Sequence, residues 1–383
     1  MKEKIRILYL INNLRPGGAQ RYIVDVIHAI DRTMYDVRIV CLGGDNYFKD
    51  EIDITCYNIG IDKYNPKITK LTRLVNIINE YKPHIMHTHL QYADTIGQLF
   101  GKIYNIPIII TTIHGFVEWN RKKLTVKSIV EDFAIKKADL VIAVSEPLVT
   151  YLVESRHVQI NKMVCVPCSV NIMPFIDTGQ NRVSRRRYYS YNENDIVFAC
   201  TAHFRPEKRH DLLLKKFVHL ILETQYSAKL LLIGNDGNLT GDVKNWINSL
   251  GLQNDVIISG GDRQDVVKDL AASDIFVMHS EEEGKSLAVV EAMAAGLPLL
   301  LPRLSHFTGQ VDDGKHALFY DFNSTQEFAD KAKILIANTD YRHYLGENGK
   351  KKAIQEYSIE HHLQILSGLY VRLFERYIGK KLK

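Results

Sequence analysis

The chain has 383 residues, 46% of them hydrophobic and 24% charged, with a net charge of +5. That balance excludes disorder over most of its length and leaves room for two domains, each with its own core. The mild positive charge suits a small anionic ligand and falls short of a nucleic-acid signature.

No apolar run reaches the roughly 18 residues needed to span a bilayer. Nothing after Met1 resembles a secretory signal, because the apolar run Ile5 to Ile11 ends at Asn12-Asn13. A cytoplasmic location is expected, and the five cysteines, irregularly spaced, fit reduced thiols there. Cys165-Val-Pro-Cys168 lacks the second pair that zinc would need, so both are read as structural thiols.

From the start, short apolar strands alternate with amphipathic helices. Ile5 to Ile11 reads as a strand, Gln20 to Ile30 as a helix, Val37 to Leu42 as a strand and Ile68 to Tyr81 as a helix. Strands over Ile85 to Thr88, Ile106 to Thr111, Ala138 to Ser145 and Met163 to Val166 continue the series. Their continuous apolar character predicts burial on both faces, as in a parallel sheet wrapped by helices. The pattern lapses into a polar stretch containing Arg185-Arg186-Arg187, and an interdomain linker is expected over 176–194, after a first domain over 1–175.

A second alternation fills 195–357: strand Ile196 to Ala202, helix His210 to Leu222, strand Lys229 to Ile233, helix Val243 to Leu250, strand Val256 to Ser259, helix Gln264 to Ala272 and strand Ile275 to Met278. The fold class is therefore α/β, with two doubly wound sheets. The tail, 358–383, reads as a long helix able to pack back toward the first domain.

The most informative segment runs from His279 to Pro298 and holds Glu283 and Glu291, with seven residues between them. Gly284 permits a tight turn after the strand, and Ser286 is placed to cap a helix running to about Ala295. Helix N-terminal amides, with Lys285, Ser286 and Leu287 at the turn, suit a phosphate, while two carboxylates suit hydroxyl groups on either side of it. A nucleotide sugar is the ligand this pattern predicts. Gly17 and Gly18 form another strand-to-helix turn that lets backbone amides approach a ligand, but without the Gly-x-Gly-x-x-Gly spacing of a dinucleotide site. No cofactor is expected. His114 ends a buried strand, at the sheet edge where open α/β folds bind ligands. His87 and His89 alternate on one strand; two ligands do not make a metal site, and no metal is expected.

Taken in order, Pro16-Gly-Gly-Ala-Gln-Arg21, His87-Thr-His89, Thr112-Ile-His114-Gly115, Ala138-Asp-Leu-Val-Ile-Ala-Val-Ser145, Pro206-Glu-Lys208 and the spaced glutamates resemble the retaining glycosyltransferases of family 4 over nearly the whole chain. The resemblance implies the GT-B architecture, two Rossmann-like domains facing a central cleft with the last helix crossing back. It implies retaining, metal-independent transfer from a nucleoside-diphosphate sugar, UDP preferred over GDP, to a glycan or lipid-linked acceptor. His114, Lys208 and Glu283 would be catalytic. Gly17, Gly18, His203, Arg205, Lys208, Glu283, Gly284, Lys285, Ser286, Leu287 and Glu291 would bind donor, and His87 and His89 would line the acceptor side. The family's arginine before the lysine is replaced by Ala202 and His203, so Arg205, or His203 as a pH-dependent donor, would supply the second cation. Cys168-Ser169 and Asn171 also depart from the family's Asn-Gly and Asp. Arg121 to Lys127, followed by Val130, Phe133 and Ile135, fits either contact with an anionic membrane or a solvated helix. Two alternatives stand beside transfer: a nucleotide-sugar 2-epimerase-like enzyme and a non-catalytic two-domain ligand-binding protein.

Overall fold

The computed structural model describes residues 3–44, 46–60, 68–116, 126–176, 179–234 and 238–381. It falls into two compact units, 1–170 with 359–383, and 171–358. The first contains β1 (Ile5–Ile11), α1 (Gly18–Ala29), β2 (Tyr35–Cys41), β3 (Cys56–Asn58), α2 (Ile68–Tyr81), β4 (Ile85–His89), α3 (Gln91–Ile103), β5 (Ile108–Ile113), α4 (Val126–Ile135), β6 (Leu140–Ala143), α5 (Glu146–Arg156) and β7 (Met163–Cys165). The second contains α6 (Met173–Ile176), α7 (Gly179–Tyr188), β8 (Ile196–Thr201), α8 (His210–Glu223), β9 (Ala228–Ile233), α9 (Thr240–Ser249), β10 (Val256–Ser259), α10 (Arg263–Ala272), β11 (Ile275–Val277), α11 (Leu287–Ala294), β12 (Leu299–Pro302), α12 (Ser305–Thr308), β13 (Ala317–Tyr320), α13 (Thr325–Ala337) and α14 (Thr339–Glu356). The last helix, α15 (Ile359–Lys381), belongs to the first unit.

Both sheets are parallel and doubly wound. The first runs β3-β2-β1-β4-β5-β6-β7 and the second β10-β9-β8-β11-β12-β13. The strand order reverses between β1 and β4 in one unit and between β8 and β11 in the other. At such a reversal the two loops leaving the carboxyl ends diverge to opposite faces and open a crevice. The central strands are buried on both sides, as their unbroken apolar runs require: Ile7 to Ile11 and Leu230 to Leu232 are fully buried. The core of the second unit is built on Phe198, Phe217, Leu232 and Phe328, that of the first on Leu8, Leu10, Leu74 and Met86.

The polar stretch 176–194, read above as a linker, contains α7, which belongs to the second unit. Its arginines hold it there. Arg185 pairs with Asp269 at 2.5 Å and with Asp265, while Arg182 and Arg186 reach Asp274. The basic stretch Arg121 to Lys127 lies outside the residues whose side chains are described; beyond it on α4, Val130 and Phe133 are exposed and Ile135 is buried. Among the described residues no helix is long and apolar enough to cross a membrane.

Candidate functional site

In the second unit the crevice is framed by the segment 202–209 leaving β8 and the segment 278–286 leaving β11. The first makes a short 3-10 turn at Pro206–Lys208, begun by extended Arg205. The two loops are joined by backbone, since the Glu281 amide donates to the Glu207 carbonyl at 2.8 Å. They are joined again by side chains: Lys208 Nζ stands 2.6 Å from Glu283 Oε1, with both side chains largely shielded. Arg209 then bridges Asp211 and Glu281. Arg205 is exposed and pairs with no carboxylate among the described residues, while His203 is partly buried.

Glu291 is buried on α11, and Gly284, Lys285 and Leu287 are partly buried around its start. Ser286 occupies the N-cap position, but its hydroxyl makes no cap and lies 3.6 Å from Met278 Sδ. Gln310 grips the Ser286 backbone instead, accepting from its amide and donating to its carbonyl. The first amides of α11 are left without a side-chain cap, the arrangement that makes a helix start receptive to an anion. Lys285 reaches the Gly309 carbonyl and the face of Tyr357.

Gly17 and Gly18 lie in the first unit, Gly17 as extended N-cap of α1. Four histidines and three tyrosines form a network there. His89 Nδ1 and His114 Nε2 are 3.0 Å apart, and His114 Nδ1 is 3.4 Å from Cys168 Sγ. His87 is enclosed, with Nδ1 2.6 Å from the Tyr370 hydroxyl and Nε2 2.8 Å from Thr112 Oγ1. Tyr370 also meets the Tyr9 hydroxyl, and Tyr22 meets His362 Nε2 while His362 Nδ1 donates to the Pro167 carbonyl. Burial pulls His87 and His114 down to about 3, with neighbouring imidazoles adding to it, and His362 to about 4. Burial pulls His89 well below its ordinary value too. All four are neutral near pH 7, so they act as hydrogen-bonding groups and not as cations. Among the described residues no three His, Cys, Asp or Glu side chains are grouped to hold a metal.

Sequence reasoning missed Tyr22, Tyr370 and His362, whose partners lie hundreds of positions away, and it missed Ser280 and His306 beside the second crevice. The signal for His306 was present: Leu299 to Leu301 is a short apolar run, so the residues just after it stand at the same sheet edge as Glu283.

Two family models match the chain. The model described as Glycosyltransferase Family 4 covers residues 16–173, and Glycosyl transferases group 1 covers residues 184–352. Over 96% of this chain and 97% of its own length, the UDP-Gal:alpha-D-GlcNAc-diphosphoundecaprenol alpha-1,3-galactosyltransferase of Escherichia coli is 22% identical. The N-acetyl-alpha-D-glucosaminyl L-malate synthase of Bacillus anthracis is 24% identical over 82% of this chain and 81% of its own. The crystal structure of HepE from Anabaena, in complex with UDP and glucose, superposes with a TM-score of 0.83 at 18% identity, covering 96% of this chain and 100% of that one. Fold, strand order and both family matches agree: the chain belongs to the family 4 glycosyltransferases and has the GT-B fold.

Proposed function

We propose that the chain is a retaining glycosyltransferase that moves a sugar from a nucleoside-diphosphate sugar, with UDP as the preferred nucleotide, to a hydroxyl of a glycan or lipid-linked acceptor in polysaccharide assembly. The observation that carries the donor site is the Lys208–Glu283 pair at the strand-order reversal of the second unit. An ammonium has three donors, so Lys208 keeps two for a diphosphate while Glu283 fixes its direction. Glu283 in turn keeps lone pairs for a sugar hydroxyl, and Glu291 does the same for the ribose. UDP is supported by two similar proteins, the Escherichia coli galactosyltransferase named for UDP-Gal and HepE in complex with UDP and glucose.

In the step proposed, the bond from the sugar's anomeric carbon to the phosphate oxygen breaks while the acceptor oxygen bonds that carbon on the same face. The acceptor proton passes to the departing phosphate oxygen. Lys208, the amides that open α11, and Arg205 or His203 stabilise the growing charge, without a metal. On the acceptor side we assign His89, whose Nε2 has no partner among the described residues, and to His114, whose Nε2 lies 3.0 Å from His89 Nδ1, the catalytic positioning role. Neutral His114 positions a hydroxyl by giving up its weak Cys168 contact. His87, with both nitrogens engaged, holds β4 in place beneath His89. Gly17 and Gly18 offer backbone amides at the start of α1. The proposal places the protein in the cytoplasm, with exposed Val130 and Phe133 available to touch the inner face of the cell membrane.

The test is incubation of wild-type protein with UDP-glucose, UDP-galactose or UDP-N-acetylglucosamine, with and without a lipid-linked glycan pool, followed by NMR of the product. Acceptor-dependent transfer with the donor's anomeric configuration kept is expected. Isomerised donor without acceptor would point to an epimerase, and donor left intact with every acceptor to a binding protein; either result overturns the proposal.

A further inference from the structure

Around the Lys208–Glu283 pair, the carboxyl ends of three neighbouring strands each carry a shielded polar atom with no hydrogen-bond partner among the described residues: Thr201 Oγ1 at the end of β8, Ser280 Oγ after β11, and His306 Nε2 after β12. Ser280 is fully buried and His306 is 8% exposed. Unsatisfied buried polar atoms are uncommon in a fold, and each calls for a partner. Three converging on one sheet edge, beside a pair already suited to a diphosphate, point to one ligand.

From this geometry we infer that His306 is a specificity-determining residue of the donor site, its Nε2 hydrogen-bonding a hydroxyl of the transferred sugar. The inference rests on the donor reading above and adds the sugar's own contact to it. The ring sits on the one-turn helix α12, packed against Phe307 with ring centres 4.4 Å apart. It lies close enough to the Glu283 carboxylate, the Lys208 ammonium and the Ser280 backbone to sense all three. Burial, partly opposed by Glu283 and the Ser280 backbone, pulls the ring's pKa down and keeps it neutral.

A sugar hydroxyl both donates and accepts, so it can meet Nε2 in either tautomer of the neutral ring. With the Glu283 carboxylate an acceptor beside it, this edge recognises a sugar bearing hydroxyls where the two converge. Ser280, donor and acceptor both, complements either.

The experiment is titration calorimetry of UDP, UDP-glucose, UDP-galactose and UDP-N-acetylglucosamine into the full-length wild type, His306→Phe and His306→Gln, with kcat and KM measured on the preferred donor. Phenylalanine keeps the ring and removes the polar nitrogen; the glutamine amide can restore a hydrogen-bonding atom near the Nε2 position. For the UDP-sugar that wild type binds best, His306→Phe should bind it about 5- to 15-fold more weakly, the worth of one hydrogen bond, with UDP affinity unchanged within about twofold. His306→Gln should recover most of the loss. Equal UDP-sugar affinity in His306→Phe, or UDP affinity lost in parallel, overturns the inference while leaving the donor reading intact. A wild type that binds neither UDP nor any UDP-sugar overturns both.

Discussion

Lys208 and Glu283, 75 positions apart, meet at 2.6 Å because the two strands that deliver them, β8 and β11, are neighbours in the sheet. Neither loop alone makes a site. On the proposed donor reading, pairing pre-aims the ammonium before the diphosphate arrives and so removes part of the ordering cost of binding.

Loss of that ammonium should be felt in turnover. Lys208→Ala is expected to lower kcat by about 100-fold or more, because the charge it meets develops only as the diphosphate leaves. Glu283→Gln should also fall, and the double variant should lose much less than the product of the single losses, since the pair acts as one unit. Initial rates with saturating donor give all three numbers; unchanged turnover in Lys208→Ala would remove its role.

The histidine network predicts the pH dependence of stability. His87 and His114 at about 3 and His362 at about 4 are depressed in the fold, against about 6.5 in the unfolded chain. Above that value neither state binds the proton and the full stability is present. As pH falls below it, the unfolded chain takes up protons that the fold refuses, so stability drains across the window from about 6.5 to about 3. Each fully coupled histidine steepens the slope by on the order of 1.4 kcal/mol per pH unit. Tm should be level from pH 8 to 7 and fall steadily toward pH 5, and His362→Phe should make the fall shallower. A level Tm down to pH 5 would contradict this.

Tyr370→Phe tests how α15 is tied to the sheet. It strands His87 Nδ1 and deprives Tyr9 of its hydroxyl partner inside a dry core. A loss of about 1–3 kcal/mol in urea unfolding is expected, with the effect confined to the first unit.

Gly346→Ala tests the seat of α11. A Cβ on Gly346 would stand 2.0 Å from the Gly296 carbonyl oxygen, so α14 is packed directly on the turn that ends α11. Forcing them apart should destabilise the second unit by about 1–3 kcal/mol and weaken UDP binding through displacement of Glu291. Unfolding curves with and without UDP separate the two effects.

Much of this fold is legible in the sequence because its strands are buried on both faces and so read as unbroken apolar runs; β1, α2 and β10 begin and end where the pattern places them. What stayed hidden depends on distant partners. Helix α3 carries Gly97 and Gly101, which look like breakers, yet a Cβ at Gly97 would strike Thr88 and Leu10, so the gaps are there for close packing. Arginine-rich α7 has no apolar stripe of its own and is held by Asp265, Asp269 and Asp274 of the same unit. At the site, the glutamate segment singled out Glu283 and Glu291 and the turn Pro206-Glu-Lys208 singled out Lys208, but not that Lys208 and Glu283 pair. Nor was Ser286 legible as an N-cap residue that does no capping, because Gln310, 24 positions later, takes its backbone. His306 was overlooked because β12 was not read as a strand.

The crevice between β8 and β11 is proposed to hold the donor's diphosphate through Lys208. Titration of UDP into wild type and Lys208→Ala, with folding of both checked by circular dichroism, tests it most directly. Saturable binding by wild type and a loss of about tenfold or more in the variant are predicted; a wild type that does not bind UDP, or a folded variant that binds it equally well, would contradict it.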